Sequence, residues 1–597
     1  MREGNHHDTS VRPRTGARVQ PLPLKGMLRL RPYGDIWHKP ALSVVVATAV
    51  PSLVLLVLDR LDLAVYASAG ALCALYGHGL PYAARARTLP WVVAGMLAGT
   101  GVALLTASLT DSTVIRVAVA ALIAAVHRML CDATRIGPPG NVVLTFVAAS
   151  CAFIPQPLGD IPGHLAVGLA GGVMALLVCL APALVRPHGP ERVATARALE
   201  AAALLRSGAR EKGHARAAAR HDTAAAVNAA WHTLLLLRPR TAAGFRSRAV
   251  LERLVEHAEA ALAGDRADHA EAVRLRAWAR ALRGNGPLPA VEPEPGPHVA
   301  SRLPAREGPH GFRAVLSELR PGSPLLPIGA RVALGCTLAG WGSMAAGVGH
   351  PYWAVVTAAS VFQANTSLSW QRALQRVLGN LAGLVLFTAI LPVSRIGPLA
   401  LIASMLVCQF LTEAAMTRNY WVGNVFLTPM ALLMTEFAVR QPASVLVADR
   451  WLDTCVGAGL GILSCLLVTN RRAGGRVECA LRRVARAEAA ARRLQADPNA
   501  GPNADLNADL NADPDADRGA DRGADRDGAQ DPAGTREEAR VRRELAVALV
   551  QLREAVDVAS GEWWQRALPE EEVALAERDG HRLLAELAAG LPLARAA

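Results

Sequence analysis

Charged and polar residues inside long apolar stretches are where this 597-residue sequence can do chemistry. Arg116, Arg331, Glu413, Glu436 and Asp453 fall within or at the ends of such stretches, together with Asn141, Gln363, Asn365 and Asn424. Holding Asp, Arg or Lys at mid-bilayer costs at least about 2.5–3.5 kcal/mol on insertion scales, so a side chain kept there is a candidate for function. An arginine facing a cavity in a helix bundle either attracts an anionic substrate or pairs with a carboxylate. Both readings stay open for Arg331 and Arg116, which lie deeper than the rest. Glu436 and Asp453 stand near the outer ends of their stretches and Glu413 near an inner end, so interfacial placement competes with proton coupling at all three.

Enzymatic chemistry finds no support. There is no Walker A pattern, no nucleophile elbow and no kinase fingerprint. His78, His127, His164 and His350 are scattered rather than clustered. Seven of the nine cysteines, from Cys73 to Cys465, lie in apolar runs as small hydrophobes, without CxxC pairing. The expectation is a protein that is not an enzyme and has no disulfide, metal or cofactor.

The elements that must position these residues are membrane helices. The chain is 52% hydrophobic and 19% charged with a mean hydropathy of +0.24, too apolar for an ordinary soluble protein of this size. A net charge of +13 raises the thought of nucleic acid. The arginines, however, flank apolar runs instead of clustering with stacking aromatics, which orientation in a membrane explains.

The fold class expected is all-α: a polytopic helical membrane protein of two parallel six-helix repeats, each followed by a cytoplasmic helical segment. Residues 1–40 form a basic cytoplasmic tail. The first repeat, 41–186, has apolar runs at 41–58, 61–80, 90–109, 113–130, 141–154 and 162–185. Residues 187–285 read as soluble helices and 286–322 as a Pro/Gly-rich linker. The second repeat, 323–470, has runs at 325–348, 352–364, 377–391, 397–411, 421–439 and 451–469. Residues 471–597 form a cytoplasmic helical tail in which 497–532, built of NAD and DRGAD units, is disordered. The Asp513, Asp515, Asp517 spacing there departs from a calcium loop, and Thr535 with Glu538 makes a capping box for the last helices. In the first repeat, arginine pairs such as Arg85/Arg87 and Arg128/Arg135 fall in every second break, which places both termini in the cytoplasm of a multi-pass protein.

The two halves match in sequence. Gly95-Met96-Leu97-Ala98-Gly99 answers Gly379-Asn380-Leu381-Ala382-Gly383, Asn141-Val142-Val143-Leu144-Thr145 answers Asn424-Val425-Phe426-Leu427-Thr428, and Gly168/Gly172 answer Gly457/Gly461. An even helix count per half makes such repeats parallel. The glycines four apart (Gly95/Gly99, Gly168/Gly172, Gly379/Gly383, Gly457/Gly461) read as close-packing positions.

The best-marked unit runs from His350 to Gly383 and reads as two membrane helices joined by a basic loop. Tyr352 and Trp353 read first as interfacial anchors, and Arg372 and Arg376 as topology signals. Tyr352-Trp353-Ala354 followed by Arg372, Arg376 and Gly379 resembles the fusaric acid resistance protein-like family, related to the aromatic acid exporters. Asn380 stands where that pattern has threonine, and the first half has Leu63-Ala64 in place of Tyr-Trp. The resemblance implies an inner-membrane efflux protein driven by the proton gradient, expelling aromatic carboxylic acids or related small toxic compounds. In that reading a path between the halves passes Arg331, Arg372, Arg376, Tyr352, Trp353 and Asn424, while Glu413, Glu436 or Asp453 carries the proton. The partners are then membrane lipid, a small anionic substrate and, as an open option, further copies in a homo-oligomer. Nucleic acid is not among them. The rival is a non-transporting scaffold or regulator whose cytoplasmic helices bind other proteins.

Overall fold

The computed structural model describes the chain apart from residues 1–17, 20–23, 25, 33, 135, 138, 209–213, 238–240, 263–266, 285, 291–322, 324, 438–441, 469–472, 497–531, 563, 566–567 and 589–597. Most of the basic N-terminal tail, most of the Pro/Gly-rich linker and the aspartate repeat lie outside the described residues. Among the described residues the regular structure is helical, save one antiparallel pairing of Arg18–Val19 with Trp564–Gln565 that ties the two terminal segments together.

Six apolar helices make the first membrane half: α1 (His38–Val57), α2 (Ala64–Ala71), α3 (Tyr82–Leu109), α4 (Thr113–Thr134), α5 (Asn141–Cys151) and α6 (Ile161–Leu180). After a short α7 (Pro182–Val185), polar helices follow: α8 (Gly189–Ser207), α9 (His214–Leu235), α10 (Ala242–Ala260) and α11 (His269–Arg283). The second membrane half is α12 (Leu325–Ala345), α13 (Tyr352–Val361), α14 (Thr366–Ser394), α15 (Pro398–Met416), α16 (Tyr420–Thr435) and α17 (Ala443–Leu467). The tail is α18 (Ala473–Ala496), α19 (Pro532–Ser560) and α20 (Glu570–Ala588). Helix α19 thus starts ahead of the expected cap at Thr535.

Eight of the helices are long and apolar enough to cross a membrane: α1, α3, α4, α6, α12, α14, α15 and α17. Here the structure departs from twelve spanning runs. The 61–80 run becomes α2 between two 3₁₀ turns, the 141–154 run shrinks to α5, the 352–364 run to the ten residues of α13, and the 421–439 run to the 16 residues of α16, which falls outside the spanning set. At 1.5 Å per residue, ten residues reach about 15 Å, roughly half the hydrocarbon thickness. A helix that ends mid-membrane leaves open backbone groups that lipid cannot satisfy, so it must be surrounded by protein. Accordingly every residue of α13 and of α2 is buried. The long helices turn leucines and valines outward, as at Leu42, Val46 and Leu53 of α1 and Leu169, Val173 and Leu177 of α6, a face suited to lipid.

Corresponding elements pack alike in the two halves. In the first, α2 lies on α1 and α6, α3 on α5 and α6, and α4 on α5; in the second, α13 lies on α12 and α17, α14 on α16 and α17, and α15 on α16. Between halves, the opening helix of each packs on the fourth helix of the other, α1 on α15 and α12 on α4, while α13 meets α5 at the centre. Outside the membrane helices, α8–α11 bury an alanine- and leucine-rich core around Trp231, and α18–α20 bury a second around Leu545 and Leu552. The two bundles touch through Arg542 on Glu259 at 3.1 Å and Arg543 over the Trp231 ring at 5.0 Å.

Candidate functional site

Helix α13 is made of small and β-branched residues after Tyr352-Trp353, which lets neighbours approach on every side. Gly457 of α17 is required for this: a Cβ there would press on Ala354 and Thr357. The close approach seats the two aromatic rings at the junction of the halves. Trp353 stacks on Phe146 of α5 at 5.6 Å, and Tyr352 lies against Phe153 at 5.5 Å. Both are buried, Trp353 at 2% exposure. The interfacial anchoring expected of this pair is therefore not where the structure puts them; a ten-residue helix enclosed by the bundle carries its aromatic end inward.

On its other side Trp353 carries Arg450 of α17, whose guanidinium carbon lies 3.9 Å from the ring centroid, a cation–π contact. Arg450 is only 1% exposed, and its Nε and Nη1 have no hydrogen-bond partner among the described residues. One turn along the same face is Asp453, fully buried. Its Oδ1 accepts a hydrogen bond from Ser343 of α12, and its Oδ2 has no hydrogen-bond partner among the described residues.

Helix α14 supplies the rest, started by Asn365, whose Oδ1 caps the Leu368 N–H at 2.9 Å. Arg376 donates through Nη1 to Asn424 Oδ1 at 2.9 Å and to the Tyr420 hydroxyl at 3.1 Å, both on α16. Arg372, one turn earlier, stacks over the Tyr420 ring at 3.7 Å. Asn380, one turn later, donates to Thr454 Oγ1 at 2.8 Å and accepts from Thr428 Oγ1 at 2.9 Å, joining α14, α16 and α17. The glycines allow this: a Cβ at Gly379 would overlap the Trp421 carbonyl, and one at Gly383 would crowd Thr428 and the Asn424 carbonyl. Three arginines and one carboxylate thus share a buried, aromatic-walled site. Buried charge left short of counter-charge is costly, and an anion brought into such a site recovers that cost.

The remaining candidates lie elsewhere. Arg331 donates through Nε to the Val468 carbonyl at 2.8 Å, at the end of the bundle that faces the tail helices. Glu436 pairs with Arg395 at 3.2 Å, and Glu413 sits half-buried on α15. Arg116 closes the end of α3, donating to the Thr110 and Ala107 carbonyls at 2.8 and 2.9 Å; it stands at a helix end rather than in a cavity. Gln363 and Asn365 belong to the α13–α14 turn. In the first half, a Cβ at Gly168 or Gly172 would press on Leu97 or Val93, and one at Gly99 on His127, whereas Gly95 faces open space. At Gly461 the added Cβ would make only ordinary contact with Ala358.

Arg450, Tyr420 and Thr454 are not among the candidates named from sequence, and Asn380 stands out there only as a departure from the family pattern. A signal for the first was present: Arg450, Asp453, Thr454, Gly457 and Gly461 recur at helical spacing and so share one face of α17. It was masked because Arg450 adjoins Asp449 near a run boundary and reads as a loop charge.

Residues 336–464, from α12 through α17, match the family model described as fusaric acid resistance protein-like. The chain therefore carries such a domain over the half that holds the buried arginines. It is 31% identical over 148 residues to the uncharacterized membrane protein YvaC of Bacillus subtilis, covering 24% of this chain and 23% of that protein. It is 26% identical over 147 residues to the uncharacterized protein slr1298 of Synechocystis, covering 24% of this chain and 18% of that protein. The chain thus spans about a fifth of the length of these curated relatives. No solved structure matches it significantly.

Proposed function

From the fusaric acid resistance-like domain that this multi-pass membrane protein carries, we propose that it exports small aromatic carboxylates, or related toxic anions, across the cell membrane. The observation that carries the reading is Arg450: a buried guanidinium with N–H groups unpartnered among the described residues, stacked on Trp353 and within the electrostatic reach of Arg376. Cation above an aromatic wall is the chemistry that recognises a flat ring bearing a carboxylate, by charge-assisted hydrogen bonds at one end and stacking at the other. In this reading the substrate moves between two parallel six-helix repeats. Their common packing pattern and matched glycines support the duplication. The half-length helices α2, α5 and α13 mark its centre, as broken helices do in other transporters. Both termini and the polar helical bundles lie in the cytoplasm, following the arginine-rich breaks.

Asp453 is the proton carrier in this scheme. Its Oδ2, without a hydrogen-bond partner among the described residues, lies one turn from Arg450, so this carboxyl exchanges its proton within reach of the anion site. Glu436, engaged by Arg395, and Glu413, on α15 rather than on the arginine-bearing α14 or α17, are placed less well for that task. The test is proton-dependent uptake of labelled benzoate and related acids into inverted vesicles. Accumulation that collapses with an uncoupler supports export; no accumulation across a broad panel of acids refutes it.

A further inference from the structure

A second cationic pocket lies where the membrane helices meet the tail. It has a volume of 480 Å³, within the range of small-molecule sites, and is formed by the ends of α4, α12, α13 and α17 together with α18 and α19. Its walls are apolar, with Phe362, Ile328 and Val332 among them, and its polar heads are Arg331, Arg476 and Arg128. Arg128 is neutralised by Asp132 at 2.8 Å. Arg331 meets only a carbonyl, and Arg476 makes no ion pair among the described residues. The pocket therefore carries net positive charge on a greasy body, the complement of an amphipathic organic monoanion.

One carboxylate of the chain itself already sits against it. The segment after α19 turns back onto the α13–α14 turn, where Asn365 donates to the Asp557 carbonyl at 3.1 Å and the Ser367 N–H to the Gly561 carbonyl at 2.9 Å. The Thr366 hydroxyl donates to Glu562 Oε2 at 2.9 Å. Glu562 is 2% exposed and its Oε1 has no hydrogen-bond partner among the described residues. Burial pushes this carboxyl up, against the Thr366 hydrogen bond and the positive charges of Arg331 and Arg476. Val558 from the same segment lines the pocket. Gly561 makes the contact sterically possible, because a Cβ there would overlap the Asn365 carboxamide.

We propose that this pocket is a loading site for an amphipathic organic monoanion, and that residues 557–562 are a latch over it whose Glu562 carboxylate is a tethered competitor for the same arginines. Assigning it as a loading site rests on the export reading; binding and latching do not.

The test is equilibrium binding of labelled benzoate, with uncharged benzamide as competitor, to the full-length protein in nanodiscs without any proton gradient. It is done in the wild type and in Arg450→Gln, where the central site no longer contributes. Arg476→Gln and Arg331→Gln each weaken binding about tenfold, the worth of one charge-assisted contact. Glu562→Gln and Gly561→Val, which disarm the latch in different ways, each tighten it about threefold. Benzamide competing as well as benzoate, or indifference to Arg476→Gln, overturns the site. Unchanged affinity in both latch variants overturns the latch, and no binding at about 10 mM benzoate overturns the whole. Vesicles that fail to transport, beside nanodiscs that bind with this pattern, refute export and leave the site standing.

Discussion

The two membrane halves share one packing frame but fill it differently. Matching Gly95–Gly99 to Gly379–Gly383 puts Val92 and Met96 where Arg376 and Asn380 stand. Matching Gly168/Gly172 to Gly457/Gly461 puts Ile161 where Arg450 stands and His164 where Asp453 stands. Val92, Met96 and Ile161 are all buried in a continuous apolar core. His164 stacks on Tyr66 at 4.0 Å, with Gln156 2.6 Å from its ring nitrogen. At these matched positions the frame closes without buried charge, the buried arginines of the first half, Arg85 and Arg116, lying elsewhere at helix ends. The arginines of the second half are therefore not what holds the helices together, and the cost of keeping them buried points to a ligand.

The largest effect expected concerns that asymmetry directly. Arg450→Gln lowers uptake of an aromatic acid into inverted vesicles by about 100-fold or more, the equivalent of one buried charge contact, with the protein still inserted and monodisperse. Normal transport by this variant would remove the distinction between the halves. The converse change, Val92→Arg, puts a guanidinium into the first half, where Gly137 stands in place of Tyr420. It destabilises the bundle by about 2.5–3.5 kcal/mol, read as a lower denaturation midpoint in detergent.

A smaller effect sharpens the comparison at the matched glycines. Gly379→Leu meets the Trp421 carbonyl and Asn424, so it lowers the thermal midpoint, whereas Gly95→Leu points into open space and stays within about 0.5 kcal/mol of wild type. Equal damage from both would mean that the halves pack alike at this position too.

The smallest expected effect is in the polar helices that follow the first half. Glu191, at the start of α8, is 2% exposed and its Oε2 has no hydrogen-bond partner among the described residues; burial pushes its carboxyl up to about 7. A raised carboxyl contributes stability below its unfolded value near 4.5 and loses it as pH rises through about 7. Glu191→Gln therefore raises the thermal midpoint above pH 7 by about 2–4 °C and leaves it unchanged at pH 4, measurable by scanning fluorimetry in detergent.

Composition and periodicity alone established a helical membrane protein with polar helical bundles after each apolar half. That information is local: a spanning helix needs a long apolar run, and a surface helix shows apolar residues at helical spacing. The hairpin from His350 to Gly383 likewise displayed its resemblance in contiguous residues. What sequence could not decide was which apolar runs span. The 61–80 and 352–364 runs are apolar because protein encloses them, not because lipid does, and both environments select the same residues. Nor could it show that Trp353, Arg376 and Arg450 meet, since they lie on three helices and come together only when glycine-mediated approach brings α13, α14 and α17 side by side. A charge near a helix end and a charge buried against a tryptophan are the same letter in the chain; only packing separates them.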